Sequence, residues 1–319
     1  MRVVSAADVD RLLDPASLAD AIDAAFRSDI VVPPRHHHDI ERQGDEATLL
    51  LMPAWTGASV SPAYLGTKLV TIFRGNAARG LPSVLGSYIL QDGATGAPLA
   101  AIDGTRLTVW RTAAASAVAG RYLSRPDASR MVMVGAGALS PFLIRAHAAQ
   151  RPLTDIAVWN HRFERARELA DALKAEGLPV RAVDDLEAAV READIVSCAT
   201  LSVDPLVRGE WLKPGVHLDC VGAFKPTMRE TDDACVRRAA LFCDTRAGAT
   251  KEGGDLAIPL ASGLIGPGDV RADLFDLCRG VHRGRRAADE ITLFKSVGTA
   301  IEDLAGAMLV WDRLNASVG

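Results

Sequence analysis

Cysteine is scarce and scattered: Cys198, Cys220, Cys235, Cys243 and Cys278 are the five in 319 residues, with no C-x-x-C pair and no metal-ligand spacing. An odd, dispersed set excludes a disulfide framework and reads as buried thiols in a reducing compartment. No apolar run approaches the roughly 18 residues that a membrane span requires. Residues 1–15 mix apolar and charged side chains and lack the apolar core of a signal peptide. The expected location is therefore cytoplasmic, with no membrane partner. An excess of either charge is also missing, since 36 Lys and Arg stand against 40 Asp and Glu for a net charge of -4. Such a balance supports no nucleic-acid partner. No G-x-S-x-G elbow occurs, so a serine hydrolase has no nucleophile to stand on.

What is present is an ordinary globular balance, 49% hydrophobic and 24% charged. At roughly 150 residues per domain the length suggests two domains. The texture changes along the chain accordingly. A short strand at 1–5 precedes helical stretches at 6–13 and 15–28. Apolar runs at 48–52, 64–72 and 87–91 are then split by Gly and Pro, as strands joined by turns are. Residues 92–96 read as a hairpin turn into a strand at 98–103, and an Ala-rich helix is predicted over 107–123. From Arg130 onward short apolar runs (131–134, 155–159, 180–182, 195–198, 217–221) alternate with helical stretches at 138–150, 164–176 and 186–193. This alternation predicts an α/β fold, a Rossmann-type doubly wound parallel sheet. A last helix is expected over 296–313.

The strand at 131–134 ends in Gly135-Ala136-Gly137-Ala138-Leu139-Ser140. Small residues are required where a backbone turns tightly and approaches a pyrophosphate, whose charge then sits at a helix N-terminus. Ser140 stands where a third Gly or Ala is usual. The end of the next strand bears on cofactor choice, because an acid there would bind the ribose hydroxyls of NAD. This chain carries Asn160, His161 and Arg162 instead, with no carboxylate before Glu164. Asn160 and Arg162 donate to a phosphate, as does a protonated His161, so NADP(H) is favoured and NAD(H) is possible. The less favoured reading is that Arg162 and Arg165 merely form a solvated helix start.

The chain resembles the ornithine cyclodeaminase and mu-crystallin family over nearly its whole length. The resemblance rests on Pro33-Pro34-Arg35, Gly66-Thr67-Lys68, Gly80-Leu81-Pro82-Ser83, Asp92 through Leu99 and Asp103-Gly104 through Thr108. It continues in Arg111-Thr112-Ala113-Ala114, the Gly135 loop, Asp219 through Glu230, Glu252-Gly253-Gly254-Asp255 and Phe294-Lys295-Ser296-Val297-Gly298. It implies a homodimer in which a discontinuous α+β dimerisation and substrate domain (1–123 plus 296–319) carries an inserted Rossmann domain (124–295). It also implies that Arg35 and Lys68 hold a substrate carboxylate and that Arg111 lies near substrate and cofactor phosphate. A planar guanidinium fork and a compact ammonium that can shuttle a proton suit those roles. Taken singly, each cation would read as a surface ion pair. Glu252 and Asp255, in their Gly-rich stretch, would border the ligand pocket, or serve as loop carboxylates. Ser296 would approach the nicotinamide, or cap the last helix. Thr112, Thr200 and Val221 are further cofactor candidates, and Ser83 has least support.

The cyclodeaminases carry a catalytic Asp where this chain has Phe224, within Val221 through Glu230. Phenylalanine accepts no proton, so cyclisation with loss of ammonia loses its acid–base group. Asp219 lies within a strand and need not face the same pocket. The segment from Gly222 to Asp233 is most similar to the bacterial ketimine reductases of the family. The activity so implied is NAD(P)H-dependent reduction of 1-pyrroline-2-carboxylate or 1-piperideine-2-carboxylate, a small cyclic imino acid, to proline or pipecolate. Phe224 would face the ring's hydrocarbon side. The alternatives are another amino-acid or imino-acid dehydrogenase, alanine dehydrogenase-like, and a mu-crystallin-like protein that binds NADPH and a small ligand. His36, His37 and His38 invite a metal reading, but consecutive residues of a strand face opposite ways and cannot readily converge on one ion. No metal is expected.

Overall fold

The structure, a computed structural model, describes residues 1–42 and 45–316. The chain forms two compact units, Met1–Thr112 with Thr299–Gly319, and Ala113–Gly298. The sequence put the divides after Leu123 and before Ser296, whereas the first falls within a long helix and the second after Gly298.

In the first unit β1 (Arg2–Val4) leads into α1 (Ala6–Leu12) and α2 (Pro15–Arg27). Ser5 and Asp8 close a reciprocal capping box, and the Asp14 carboxylate accepts from the Ser17 amide ahead of a helix that opens on Pro15. Then come β2 (Ile30–Val31), β3 (His36–Arg42), β4 (Asp45–Thr56), β5 (Tyr64–Phe73), β6 (Val84–Asp92) and β7 (Pro98–Asp103). Among the described residues their order is β1-β7-β6-β5-β4-β2, with β3 also paired to β4. The expected hairpin between β6 and β7 forms because the Asp92 carboxylate accepts from the amides of Ala94 and Thr95 and from the Thr95 hydroxyl.

Next is α3 (Gly104–Leu123), through which the chain passes from one unit to the other. It starts earlier than residue 107, at a glycine. A side chain at Gly104 would bring a Cβ within 2.8 Å of backbone atoms of Gly86 and Ser87, so only a bare backbone lets the helix begin against β6.

The second unit runs β8 (Arg130–Val134), α4 (Ser140–Ala148), β9 (Asp155–Trp159), α5 (Phe163–Ala175), β10 (Val180–Val183), α6 (Leu186–Glu192), β11 (Ile195–Cys198) and β12 (His217–Cys220). It continues through α7 (Asp233–Arg238), β13 (Ala240–Cys243), α8 (Arg246–Glu252), α9 (Gly254–Ala261), β14 (Val270–Asp273), α10 (Leu274–Cys278) and β15 (Thr292–Lys295). The strands lie parallel in the order β10-β9-β8-β11-β12-β15-β13-β14. Several of them (β11, β12, β13 and β15) are buried along their whole length, as strands covered on both faces must be. The Rossmann-type sheet expected from the sequence is present. Its winding reverses between β8 and β11, the switch point at which such sheets take ligands.

The final helix, α11 (Ala300–Ala316), returns to the first unit and packs on α2, β4, β5 and β6. It begins at Ala300, not 296. On the covered sheet face Met52, Lys68, Tyr88 and Ile102 stand side by side, next to the row Ala54, Gly66, Leu90 and Ala100. Gly66 is small because Tyr88 lies over it: a Cβ there would sit 1.9 Å from the Tyr88 hydroxyl oxygen, and Tyr88 is fully buried. Gly66→Ala is therefore expected to destabilise by about 1–3 kcal/mol through overpacking, read as a lower urea midpoint with an unchanged denaturant slope.

Candidate active site

Each unit contributes one centre, and the two are built differently. In the first unit Lys68 projects from β5 onto the covered sheet face and is 1% exposed. A buried ammonium requires a counter-charge. Asp303 supplies it, its two carboxylate oxygens 2.9 and 2.8 Å from Lys68 Nζ. The same carboxylate lies 3.0 Å from Nε of Arg111, whose terminal nitrogen donates to Glu302 at 2.7 Å. The Thr108 hydroxyl stands 3.4 Å from Lys68 Nζ and itself donates to the Gly104 carbonyl. Glu302 and Asp303 lie in the first turn of α11, where the helix dipole favours negative charge. Burial first, then the Arg111 charge, pull Lys68 down to about 8 against the opposing pull of Asp303, and Arg35 acts in the same downward sense. Arg35, half-buried just ahead of β3, is thus within electrostatic reach of Lys68. The unit brings Lys68 and Arg111 onto one carboxylate, with Arg35 near enough to act on the Lys68 charge.

His36 and His38 share one face of β3 with ring centroids 6.3 Å apart, while His37 takes the other face.

In the second unit the glycine loop follows β8. Gly135 has φ 109°, open to glycine alone, and a Cβ on it would lie 2.8 Å from the Ala199 carbonyl oxygen after β11. Ser140, the departure from the usual glycine pattern, knits the loop: its buried hydroxyl accepts from the Gly137 amide at 3.1 Å and donates to the Gly135 carbonyl at 2.9 Å. Above Gly137 a Cβ would meet nothing within 4 Å. Ala138 is exposed, Leu139 half-buried, and α4 opens with no side-chain cap. A bare loop, open space and an uncapped helix N-terminus suit an anionic pyrophosphate.

Asn160 donates to the Arg162 carbonyl and so shapes the turn after β9, with His161 and Arg162 exposed. Beside them lies an open cleft of about 760 Å³ bordered by Trp159, Asp184, Leu186, Leu206, Arg208 and Trp211. Thr200 is held by Glu230, which accepts from the Thr200 amide (2.7 Å) and hydroxyl (2.9 Å) and from the amides of Gly222 (2.8 Å) and Ala223 (3.3 Å). Burial pushes Glu230 up to about 7 against the opposing charge of Lys295. Val221 is buried, its amide donating to the Cys198 carbonyl.

Some expectations need correction. Ser296 does not cap the last helix; it ends the β15 segment and donates to Asp244, which also accepts from the amides of Val297 and Gly298. The Gly-rich stretch after Glu252 is no loop, for α9 starts at Gly254 and Asp255 is fully buried, accepting from Lys295 at 3.1 Å and from Thr231. Glu252 itself is half-buried at the end of α8. Phe224 is 38% exposed, with Lys225 Nζ 5.8 Å from its ring centre. Asp219 is buried and engaged by His147, Ser116 and Ser197. Thr112 is buried on α3 beside Arg111. All five cysteines are buried and unbridged.

The sequence reading missed Glu302, Asp303, Glu230 and Asp244. Two adjacent acids inside the apolar run 300–310 were a legible signal, since unpaired carboxylates do not remain in a buried helix face.

A glycine loop at the switch point of a parallel sheet defines a dinucleotide-binding protein, and beneath α11 lies a buried group of paired cations and acids. The chain belongs to the ornithine cyclodeaminase/mu-crystallin family, whose model matches residues 1–318. It is 44% identical over 313 residues to an uncharacterized protein of Schizosaccharomyces pombe, covering 94% of this chain and 93% of the relative. It is 40% identical to a delta(1)-pyrroline-2-carboxylate reductase of Paracoccus denitrificans, with 90% of each chain covered. It is similar, with a TM-score of 0.92 and 33% identity over 99% of this chain and 98% of the other, to the Thermococcus litoralis delta(1)-pyrroline-2-carboxylate reductase solved with NADH and L-proline. Fold, family and relatives together identify the chain as an oxidoreductase.

Proposed function

We propose that the chain reduces the C=N bond of a cyclic ketimine carboxylate, 1-pyrroline-2-carboxylate or 1-piperideine-2-carboxylate, to proline or pipecolate with a reduced nicotinamide dinucleotide. The observation that carries this reading is Lys68, an ammonium buried against Asp303 and Arg111 and brought down to about 8. Such a group holds a proton at neutral pH and releases it readily, as a general acid must. Arg35, less buried than Lys68 or Arg111, supplies the fork for the substrate carboxylate. Arg111, fixed by Glu302 and Asp303, adds positive potential beside it. Lys68 Nζ gives its proton to the imine nitrogen, and Asp303 holds Lys68 Nζ in place.

Gly135, Gly137, Ala138, Leu139 and the α4 N-terminus would hold the pyrophosphate of the dinucleotide, which when bound supplies the hydride that completes reduction. Thr200, Val221 and Ser296 lie on loops at the carboxyl ends of β11, β12 and β15, the edge that takes the cofactor in such folds. The cleft at Trp159 suits the adenosine end, and exposed His161 and Arg162 favour the extra phosphate of NADPH over NADH. Phe224 offers no proton acceptor, which argues against cyclodeamination.

The chain also acts as a homodimer in this reading. The uncovered face of the first unit's sheet carries Leu51 beside Leu69 and Leu49 beside Thr71 and Leu85, with Leu69 and Leu85 exposed. Apolar rows of this kind mark an association surface.

Mixing the protein with either imino acid and NADPH should consume nicotinamide absorbance without added ammonia; no turnover of either ring size with NADPH or NADH rejects the reading. Because the donor is protonated Lys68, kcat should decline as pH rises through about 8. Gly137→Val should leave the unfolding midpoint of the ligand-free protein unmoved, since no neighbour lies within 4 Å. It should nonetheless weaken NADPH binding at least tenfold, about 1.4 kcal/mol, by calorimetric titration. In sedimentation the wild type should run as a dimer and a Leu69→Lys, Leu85→Lys variant as a monomer; a monomeric wild type removes the proposed assembly.

A further inference from the structure

Reduction as proposed needs a proton donor, and the geometry around Lys68 says how that donor is kept charged. The ammonium is met by Arg111 and Thr108 from α3, by Arg35 from the segment ahead of β3, by Tyr88 and Met52 from the neighbouring strands, and by Asp303 from α11. Two of these groups are cations that drive a proton off Lys68, and Met52 carries no charge. The Tyr88 phenol stays neutral, its ionisation opposed first by burial and then by the Asp303 charge. Among the described residues Asp303 is the anion bonded to Lys68 Nζ. Its Oδ1 is shared, 2.9 Å from Lys68 Nζ and 3.0 Å from Arg111 Nε. Glu302, adjacent on the same helical turn, takes the far end of the Arg111 guanidinium.

We propose that Asp303 is a positioning residue: its carboxylate bridges Lys68 to Arg111, aims the ammonium and keeps it protonated at neutral pH, while Glu302 anchors Arg111. The two acids thus have separable duties. Asp303 governs proton delivery and Glu302 governs the carboxylate grip. This assignment rests on the reductase reading for its catalytic meaning, but not for its electrostatics.

The test follows the Lys68 side chain directly. In protein labelled with carbon-13 at the lysine Cε, the Lys68 signal is assigned by its loss in Lys68→Arg and titrated by NMR, alongside the pH dependence of kcat. Wild-type Lys68 should titrate near 8. Asp303→Asn removes the bridging anion, so the titration and the basic limb of kcat should both move down by at least one pH unit. That shift corresponds to a roughly tenfold loss of the protonated form on the alkaline side, recovered at lower pH. Glu302→Gln should raise KM for the imino acid several-fold and leave the limb in place. A purely structural role would lower the melting temperature in both variants and move neither the titration nor the limb.

An unmoved Lys68 titration in folded Asp303→Asn overturns the proposal, as does a wild-type Lys68 that titrates like an ordinary exposed lysine. Should Asp303→Asn fail to fold, Asp303→Glu keeps the charge and displaces it by one methylene: the limb should hold while kcat drops, and an unchanged kcat counts against positioning. A Lys68 titration that shifts as expected in a protein that reduces neither imine leaves the positioning role standing and removes the reductase reading instead.

Discussion

Two cations, Lys68 on the covered face of a β-sheet and Arg111 on α3, are buried, and the first unit's centre depends on how that burial is compensated. Withdrawing an ammonium or a guanidinium from water costs several kcal/mol per ion. Lys68 and Arg111 are 1% and 5% exposed, so neither recovers that energy from solvent. Glu302 and Asp303 compensate them from the first turn of α11, with the helix dipole adding to the carboxylates' own stability there. The match is neutral as a set, two positive against two negative. It is not evenly shared, because Asp303 serves both cations at once. Lys68 therefore sits between opposing pulls, with burial and Arg111 driving its proton off and Asp303 holding it on. A structural ion pair and a tuned acid are here the same contact.

The second unit uses buried carboxylates for a different purpose. Glu230 ties the loop after β11 to the loop after β12. Asp255 ties Thr231 to Lys295 at the end of β15, and Asp244 gathers the backbone amides of Val297 and Gly298. Each acid accepts from donors that would otherwise be orphaned at the carboxyl ends of the strands. The loops on that edge are consequently held from below by charge-assisted bonds, while the glycine loop beside them keeps its upper surface bare. Ser140 belongs to the same economy of bonds. Where a glycine would have served only for close packing, its hydroxyl bridges Gly135 and Gly137 and stiffens the turn.

Much of this was legible beforehand, for identifiable reasons. Alternating short apolar runs and helical stretches announced the parallel sheet, and Asp92 with Gly96 announced the hairpin, because periodicity and turn chemistry are local. Strands β13, β14 and β15 were not recognised, although at four residues each they are as long as β10, β11 and β12, so length is not the reason. Ser296 looked like a helix cap because a serine just before an apolar helical stretch usually is one. Its actual partner, Asp244, lies far away in sequence. Asp255 read as a loop acid beside two glycines, yet those glycines are there for crowding, with Lys295 Cε 2.6 Å and the Met228 carbonyl oxygen 1.9 Å from where their Cβ atoms would fall.

The amino-acid order alone determined the parallel α/β architecture and the glycine loop, which are written in residues close together along the chain, while the cations Arg35, Lys68 and Arg111 were singled out by the family resemblance of the short motifs around them. Tertiary structure decided which acids answer those cations. Lys68 and Asp303 are 235 positions apart, and Arg111 and Glu302 are 191. Only the return of α11 across the inner face of the first sheet brings them within bonding distance. Electrostatic pairing acts through space, where local pattern carries no record of it, and so the proton affinity of Lys68 belongs to the fold.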